Sequence, residues 1–220
     1  MGKNIAIICN GEFPKKEKTL SVIKNADYIV CCDGALKTFL RKSKTIFGVV
    51  KHPDVTIGDL DSLSEKFIFS YKGKIIHIEE QEDNDMTKAF VFVMKNLSDI
   101  SHISFIGATG KREDHTIGNI SLLMEYGRMF DLSNLKLNML SDYTTIIPIF
   151  DSTRLKVGAG RQISILTPDN SLNIKSKGLH WKTDDVVFDN WWKATLNRAD
   201  EDFISLTFNH PSFAVLIILE

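Results

Sequence analysis

The chain has 220 residues, of which 43% are hydrophobic and 25% are charged, and its formal net charge is −1. This composition is that of an ordinary globular protein and excludes a disordered chain. The balance of 27 basic and 28 acidic residues also argues against a nonspecific nucleic-acid binder, which needs a surplus of lysine and arginine. We therefore expect one large domain or two small ones, with no nucleic-acid partner.

The cysteines and the N-terminal stretch indicate a compartment. Cys9, Cys31 and Cys32 lie in apolar stretches and lack the spacing of metal ligands, so buried free thiols in a reducing environment are expected. The N-terminus lacks the long apolar core of a signal peptide, and no apolar run approaches the ~20 residues that cross a bilayer. The sequence therefore predicts a soluble, cytoplasmic protein with no membrane partner.

The first half of the chain alternates short apolar runs with helical patterns. Such alternation predicts a mostly parallel sheet that is covered by helices. The predicted strands are residues 4–9, 28–32, 55–57, 74–78 and 103–107. The predicted helices are residues 16–25, 34–43, 62–71, 85–97 and 115–127.

After about residue 135 the chain shows strand patterns separated by Gly, Pro, Asn and Asp, without a helical pattern. This texture predicts an antiparallel sandwich or barrel. The predicted strand segments are KLNML, TTIIPIF, TRLKV, RQISIL, LNIKS, DVVFD, FISLTF and FAVLIIL. We thus predict an α/β N-terminal domain with a mostly parallel sheet at residues 1–135, and an all-β sandwich C-terminal domain at residues 136–220.

Four acidic or glycine-rich stretches follow predicted strands in the first half. They are residues 32–35, 58–62, 82–85 and 107–119. Ligands bind at the carboxyl ends of the strands in open α/β sheets. Four such stretches at one sheet edge therefore predict a binding pocket.

The segment TIGDLDSL places Asp59 and Asp61 one residue apart. Carboxylates at i and i+2 of an extended chain point to the same side, and a proton, a basic partner or a metal relieves their repulsion. Either aspartate alone could instead be the N-cap of the helix predicted at 62–71. Together they favour a metal site, and oxygen ligands without His or Cys fit Mg²⁺ with a phosphate-bearing nucleotide.

The acidic run at residues 82–85 opens a predicted helix, so its members also suit helix capping. Lys88 lies about one turn beyond Asp85, away from the apolar stripe of that helix. Lys88 is therefore either a solvated surface lysine or, in a pocket of carboxylates, a phosphate ligand. Lys88 is expected to be a phosphate ligand only if these loops form one binding site.

The glycine-rich segment GATGKREDHTIGN is not a P-loop, because Arg112 follows Gly-Lys where Ser or Thr is required. Arg112 can grip phosphate through two hydrogen bonds. Asp114 and His115 are candidates for capping the following helix. No dinucleotide-binding glycine pattern is present, which argues against a dinucleotide oxidoreductase.

The ordered set of motifs resembles that of the thiamin pyrophosphokinase family and covers most of the chain. The matching motifs are CNGEFP, CDGA, GDLDS, the acidic run ending in Asp-Met-Thr-Lys-Ala, GATGKREDHTIGNI, and GLHW at residues 178–181. The resemblance implies transfer of the pyrophosphoryl group of ATP to the hydroxyl of thiamin, giving thiamin diphosphate and AMP. It also implies a homodimer in which the sandwich domains pair and build the thiamin site across the interface.

The resemblance implies that Mg²⁺ is held by Asp59, Asp61 and Asp85. The residues that it implies at ATP are Asn10, Asp33, Gly34, Lys88, Gly110, Lys111, Arg112 and His115. Asp114 matches an aspartate of the glycine-rich motif. We expect Asp114 to orient the alcohol or accept its proton, with a structural hydrogen bond as the alternative.

At thiamin, the resemblance implies contacts from Trp181, Thr195 and Asn197. Trp181 offers a π face to the cationic thiazolium, a contact of roughly 0.5–2 kcal/mol. Without the resemblance, a Trp in a β domain is more often a core residue.

Three positions depart from the family pattern. The usual Asp-x-Thr-Asp run reads Glu-Asp-Asn-Asp at residues 82–85, Lys111 replaces a usual glycine, and Leu196 stands where a serine would be. Two other functions stay open, and only Glu82 and Lys111 support the first of them. One is a thiamin- or nucleotide-binding protein without turnover, and the other is a related transferase that acts on another heterocyclic alcohol.

Overall fold

Strands and helices alternate in the first part of the computed structural model, which describes residues 2–220. Each strand and helix predicted in the first half is present, with ends that differ by a few residues. The elements are β1 (Lys3–Ile8), α1 (Glu17–Lys24), β2 (Tyr28–Cys32), α2 (Asp33–Phe47), β3 (Val55–Gly58), α3 (Glu65–Ser70), β4 (Ile75–His77), α4 (Asp85–Asn96), β5 (Ile100–Ile106), α5 (Glu113–Met129) and β6 (Lys136–Leu140).

The strands of this first part pair in parallel, in the order β6-β5-β1-β2-β3-β4. The sequence reads as continuous apolar runs because the central strands are buried on both faces, and every residue of β3 is buried. Helices α1 and α2 cover one face around Ile8, Cys31 and Phe39. Because the strands are parallel, their carboxyl ends lie along one edge of the sheet.

Strand β6 corrects one prediction. The segment KLNML was expected to begin the antiparallel part, but it pairs in parallel with β5, with Leu137 opposite Ile103. Its alternating burial resembles that of a sandwich strand. The sequence pattern reports burial, and it does not report the direction of the partner strand.

The second part of the chain forms two antiparallel sheets. Its strands are β7 (Thr144–Ile149), β8 (Thr153–Lys156), β9 (Gln162–Leu166), β10 (Ile174–Lys177), β11 (Ala194–Arg198), β12 (Phe203–Phe208) and β13 (Ala214–Leu219). One sheet has the order β11-β9-β13-β7 and the other has the order β10-β12-β8. Ile165 and Leu216 of the first sheet share a core with Ile174 and Leu206 of the second, which confirms the predicted sandwich.

One predicted strand in this part is wrong, and one real strand was missed. The segment DVVFD lies outside the strands, since Val186 and Phe188 pack on the core from a loop. Burial in strand β11 does not alternate, which the sequence did not predict: Ala194 and Asn197 are buried, whereas Leu196 is 82% exposed and has a φ of 57°. The register with β9 shifts between Ala194 and Asn197, as at a β-bulge.

The chain divides into two compact units by its internal contacts. The first unit holds the residues up to Asn119 together with Leu132–Asp142, and the second holds Ile120–Asp131 and Tyr143–Glu220. The boundary predicted between residues 135 and 136 stays a prediction. Within residues 2–220, the structure contains no helix that is both long enough and apolar enough to span a membrane.

Candidate functional site

A cleft of about 620 Å³ lies at the carboxyl ends of the parallel strands in the first unit. Its walls come from the loops after β1, β2, β3, β4 and β5, and the last four of these loops contain the four predicted stretches. The cleft is lined by Cys9, Asn10, Gly11, Cys32, Asp59, Asp61, Ser62, Gln81, Glu82, Asp83, Asn84, Asp85, Met86, Lys88, Gly107, Ala108, Gly110, Lys111, Arg112, His115 and Asn119. Nine of the predicted site residues are therefore gathered in one place.

Three aspartates form the acidic centre of this cleft. Asp33, Asp59 and Asp61 each offer a carboxylate oxygen, and these oxygens lie within 4.8 Å of one another. Within the described residues, neither oxygen of the fully buried Asp33 has a hydrogen-bond partner. Buried carboxylates without partners are costly, and an oxygen-only donor set fits a hard divalent cation such as Mg²⁺.

Asp85 lies beside this centre, and the negative charge there affects the pKa of its carboxyl group. Burial and the negative charge of Asp33 raise the pKa of Asp85 to about 7. Burial also raises the pKa of Asp33, and the charges of Asp59 and Asp61 act in the same direction. The sequence analysis predicted that Asp33 contacts ATP. In the structure, Asp33 lies with Asp59 and Asp61 in a group of acids that could hold a cation.

The backbone at Leu60 brings Asp59 and Asp61 together. The expected extended geometry is wrong here, because Leu60 adopts a left-handed conformation with a φ of 67°. The Asp61 backbone N–H donates to Asp59 Oδ1 at 3.1 Å, which closes a tight turn. A non-glycine residue with positive φ is uncommon and marks local strain that the surrounding structure must hold.

Gly58 is needed where Asp33 approaches β3. A Cβ atom at position 58 would lie 2.6 Å from the carboxyl carbon of Asp33. The glycine therefore leaves the space in which the buried carboxylate sits.

Helix capping does not explain the acids. Ser64 is the N-cap of α3 and accepts a hydrogen bond from the Phe67 N–H. Asn84 is the N-cap of α4 and accepts from the Thr87 N–H at 2.9 Å. Asp59 and Asp61 therefore do not cap α3, and Asp85 does not cap α4.

Two side chains that the sequence pattern did not single out hold the acidic loops. Gln81 donates to Asp59 Oδ2 at 2.9 Å, and this bond is the first cause of a lowered pKa at Asp59. Asn119 accepts from Asn84 at 2.9 Å and donates to the Ala108 carbonyl at 2.7 Å. Asn119 lies within the quoted glycine-rich motif, whereas no periodicity marks Gln81.

Lys88 is buried, which makes the solvated-surface interpretation wrong. It is 5% exposed, and its Nζ lies 4.0 Å from Asp85 Oδ1 and 3.4 Å from the Ile78 carbonyl. A buried ammonium needs nearby negative charge. Lys88 therefore contributes a fixed positive charge to the wall of the acidic cleft.

Arg112 and Asp114 form an ion pair at the rim. Arg112 Nη2 donates to Asp114 Oδ2 at 2.5 Å, and Arg112 Nε donates to Oδ1 at 3.1 Å. Asp114 also accepts from the His115 N–H. The hydrogen bonds from Arg112 are the first cause that lowers the pKa of Asp114 to about 2. Arg112 and His115 line the cleft, while Asp114 holds Arg112 from the exposed side.

Lys111 ties the glycine-rich loop to the end of β1. Its Nζ donates to the Asn10 carbonyl at 2.7 Å and to Asn10 Oδ1 at 3.2 Å. The Lys111 backbone has a φ of 75°, the conformation that the glycine usual in the family adopts readily. Gly34 packs against the same asparagine, because a Cβ there would lie 2.4 Å from Asn10 Nδ2.

A second concave site of about 360 Å³ lies in the sandwich unit. It is lined by Trp181, Lys182, Thr183, Val186, Lys193, Ala194, Thr195, Leu196 and Asn197. Trp181 is 56% exposed, so it is not a core residue. The three residues predicted at thiamin, which are Trp181, Thr195 and Asn197, share this groove.

Asn197 holds Trp181 in the groove. Its Oδ1 accepts from the Trp181 N–H at 3.1 Å, and its Nδ2 donates to the Trp181 carbonyl at 2.7 Å. Asn197 is itself buried and also accepts from the Arg198 N–H. Its amide is therefore occupied by backbone groups, whereas Thr195 Oγ1 donates to the Trp192 carbonyl.

Together, the fold and the two sites define an α/β protein with a carboxylate-rich cleft at its strand ends, followed by a β-sandwich with an aromatic groove. The chain belongs to the thiamin pyrophosphokinase family. Residues 19–135 match the family model described as "Thiamin pyrophosphokinase, catalytic domain", and residues 145–211 match "Thiamin pyrophosphokinase, substrate-binding domain".

One relative and several solved structures are similar to this chain. "Thiamine pyrophosphokinase 1" of Oryza sativa subsp. japonica is 29% identical over 171 residues, which span 70% of this chain and 62% of that protein. The crystal structure of yeast thiamin pyrophosphokinase has a TM-score of 0.77 at 20% identity and covers 99% of this chain and 86% of that one. The Bacillus subtilis structure has a TM-score of 0.75 at 16% identity, with 98% of both chains covered. These structural likenesses establish the fold.

The acidic centre predicts a specific response to Asp33→Asn. The substitution removes a buried charge without hydrogen-bond partners, so we expect it to stabilise the metal-free protein by about 1–3 kcal/mol, roughly 2–10 °C in midpoint. The midpoint gain on adding Mg²⁺ should be smaller than in the wild type. Thermal unfolding with EDTA and with Mg²⁺ measures both effects.

The matched control is Asp83→Asn, which removes the same charge from an exposed position of the same cleft. It should leave both midpoints nearly unchanged. A destabilised metal-free Asp33→Asn protein with a full response to Mg²⁺ would exclude Asp33 from the cation group.

Proposed function

We propose that this chain transfers the pyrophosphoryl group of ATP to the hydroxyl of thiamin, giving thiamin diphosphate and AMP in a Mg²⁺-dependent reaction. The observation that carries the proposal is the convergence of Asp33, Asp59, Asp61 and Asp85 at the strand ends of a chain from the thiamin pyrophosphokinase family. Phosphate-bearing substrates of α/β proteins bind at this edge of the sheet.

All four acids hold the cation in this proposal. Asp59, Asp61 and Asp85 hold Mg²⁺, and Asp33 joins them as a buried oxygen donor without another partner. When bound, Mg²⁺ supplies charge neutralisation at the phosphate oxygens. Gln81 fixes the Asp59 carboxylate, and the Leu60 turn keeps Asp61 on the same side.

The basic residues of the cleft meet the remaining phosphate charge. Lys88 supplies a buried ammonium, and Arg112 supplies a guanidinium whose direction Asp114 fixes. The low pKa of Asp114 suits a residue that holds Arg112 and makes it a poor acceptor for a proton. Positioning and electrostatics of this kind supply most of the catalysis in phosphoryl transfer.

The groove of the sandwich unit is proposed to bind thiamin. The exposed indole of Trp181 offers a π face to a cationic thiazolium, and its backbone is fixed by Asn197. In the reaction, the thiamin oxygen forms a bond to the β-phosphorus of ATP. The bond from that phosphorus to the oxygen bridging to the α-phosphorus breaks, the hydroxyl proton is released, and AMP leaves.

The activity is tested by incubating the purified protein with ATP, Mg²⁺ and thiamin and separating the products by ion-exchange chromatography. AMP should appear in equal amount to thiamin diphosphate. Asp59→Asn and Asp61→Asn should each lower kcat by at least about 100-fold, because each removes electrostatic stabilisation of the transferring group. Asp83→Asn is the control with the same change of charge.

Production of ADP would instead indicate a monophosphate kinase. Thiamin binding without turnover under varied divalent metals would indicate a binding protein, and turnover of another alcohol in preference to thiamin would indicate a related transferase. Near-normal rates in both aspartate variants would remove these residues from the metal site.

Asn197→Ala separates a positioning role from direct catalysis. Loss of two or three hydrogen bonds of roughly 1 kcal/mol each should raise the KM of thiamin by about 10-fold or more while kcat stays within about twofold. Trp181→Ala should also raise the KM of thiamin. Asn170→Ala, at an exposed asparagine of the same unit, is the control. A fall in kcat with unchanged KM would contradict the positioning role of Asn197.

We further propose that the chain works as a homodimer paired through its sandwich unit. That unit exposes large apolar side chains, including Trp181, Trp192, Leu196 and Phe203. Of these, Trp181 and Leu196 lie together in one groove, and large apolar side chains exposed together are a feature of association surfaces. Light scattering at the protein concentration of the activity assay should give twice the chain mass of 24.9 kDa. A single-chain mass in active samples would reject the dimer.

A further inference from the structure

Two cysteines stand side by side on the floor of the catalytic cleft. Strands β1 and β2 are parallel neighbours with Ile8 opposite Cys31, so the next residues along each strand are Cys9 and Cys32. Both line the cleft, although Cys9 is 7% exposed and Cys32 is 3% exposed. Both are free thiols.

This arrangement suits a disulfide. Neighbouring strands lie about 4.8 Å apart, which is within the range of roughly 4.4–6.8 Å between the Cα atoms of bonded cysteines. The Cβ atoms must approach to about 3.8 Å, so the bond would draw the two strand ends together. The pair is therefore close enough to react, but forming the bond would shift the ends of β1 and β2.

Cys31 provides an internal comparison. It is adjacent to Cys32 in sequence, but it points to the opposite face of the sheet and packs with Ala6, Ile8 and Phe39. Cys31 is fully buried, and it is absent from the lining of the cleft. Only Cys9 and Cys32 combine facing positions at the ends of neighbouring strands with access from the cleft.

We propose that Cys9 and Cys32 form an oxidation site, at which a peroxide converts the two thiols into a disulfide that disables the cleft. The bond itself is independent of the proposed function, whereas the resulting loss of activity rests on it. The residues that follow the two cysteines explain the loss. Asn10 anchors Lys111, and Asp33 belongs to the acidic centre.

The reaction balances as a two-electron oxidation with hydrogen peroxide as the oxidant. The Cys9 sulfur, as thiolate, attacks one peroxide oxygen and the O–O bond breaks, which leaves a sulfenic acid on Cys9 and releases water after protonation. The Cys32 sulfur then attacks the Cys9 sulfur, the S–O bond breaks, and a second water leaves. Both sulfurs are oxidised, and both peroxide oxygens are reduced to water.

The environment of the pair sets the order and the rate of these steps. The first attack is by Cys9, the more exposed of the two thiols, and even Cys9 is only 7% exposed. The reaction is accordingly slow, and a nucleotide that fills the cleft should slow it further.

The experiment treats the purified protein with hydrogen peroxide, blocks the remaining thiols, and maps the peptides by mass spectrometry without reduction. Trypsin yields residues 4–15 with Cys9 and residues 25–37 with both Cys31 and Cys32. We expect these two peptides to be cross-linked with the loss of two hydrogens. Activity should fall by at least about 10-fold at full cross-linking and return with dithiothreitol.

Cys31→Ala is the matched control, because it leaves Cys32 as the sole partner in the second peptide. Cross-linking and inactivation should persist in this variant and disappear in Cys9→Ala. Loss of the cross-link in Cys31→Ala, oxidation to sulfonic acid without any cross-link, or full cross-linking with unchanged activity would each overturn the proposal.

Magnesium and ATP during peroxide treatment add a further arm. Slower cross-linking in their presence supports access through the nucleotide cleft. If the protein lacks kinase activity altogether, the mass-spectrometric result still decides whether the disulfide forms. Failure of the proposed function and failure of the oxidation site are therefore distinguishable.

Discussion

The repulsion among four carboxylates at one sheet edge is the constraint on which the cleft depends. Asp33 is buried without a hydrogen-bond partner in the described chain, and Asp33, Asp59 and Asp61 approach within 4.8 Å. A pKa of about 7 at Asp85 means that a proton relieves part of this repulsion near neutral pH. A divalent cation would relieve more. This unfavourable arrangement is the physical reason for proposing a cation site here.

The sequence predicted this edge because a parallel sheet gives a recognisable pattern of residues. Buried central strands give continuous apolar runs, and polar loops after such strands meet at one edge. Sequence could not assign Asp33 to the cation group, because that depends on the space beside Gly58. Nor could it find the burial of Lys88 or the hydrogen bond from Gln81 to Asp59, which arise from how the loop before α4 folds back. Strand β11 was missed for a related reason, since a bulge at Leu196 breaks its alternation.

Backbone strain is concentrated at the two sites. Among the described residues, positive φ angles outside glycine occur at Leu60, Asp99, Lys111 and Leu196. Leu60 turns the paired acids, Lys111 anchors the glycine-rich loop, and Leu196 borders the aromatic groove. Such conformations persist only where neighbouring contacts hold them. At Lys111 this contact is a pair of hydrogen bonds from its ammonium group to Asn10. These bonds offset the cost of a positive φ at a residue other than glycine.

The distribution of charge in the cleft also bears on what enters it. A free triphosphate would meet the acids of the floor and be repelled, despite Lys88 in the wall and Arg112 at the rim. A free divalent cation would be attracted by the acids but would leave the basic groups without a partner. An anion accompanied by its cation satisfies both sets at once, since each charge of the ligand finds its opposite. The cleft therefore places charges of both signs within one concave surface, which is the pattern expected for the metal–nucleotide complex proposed above.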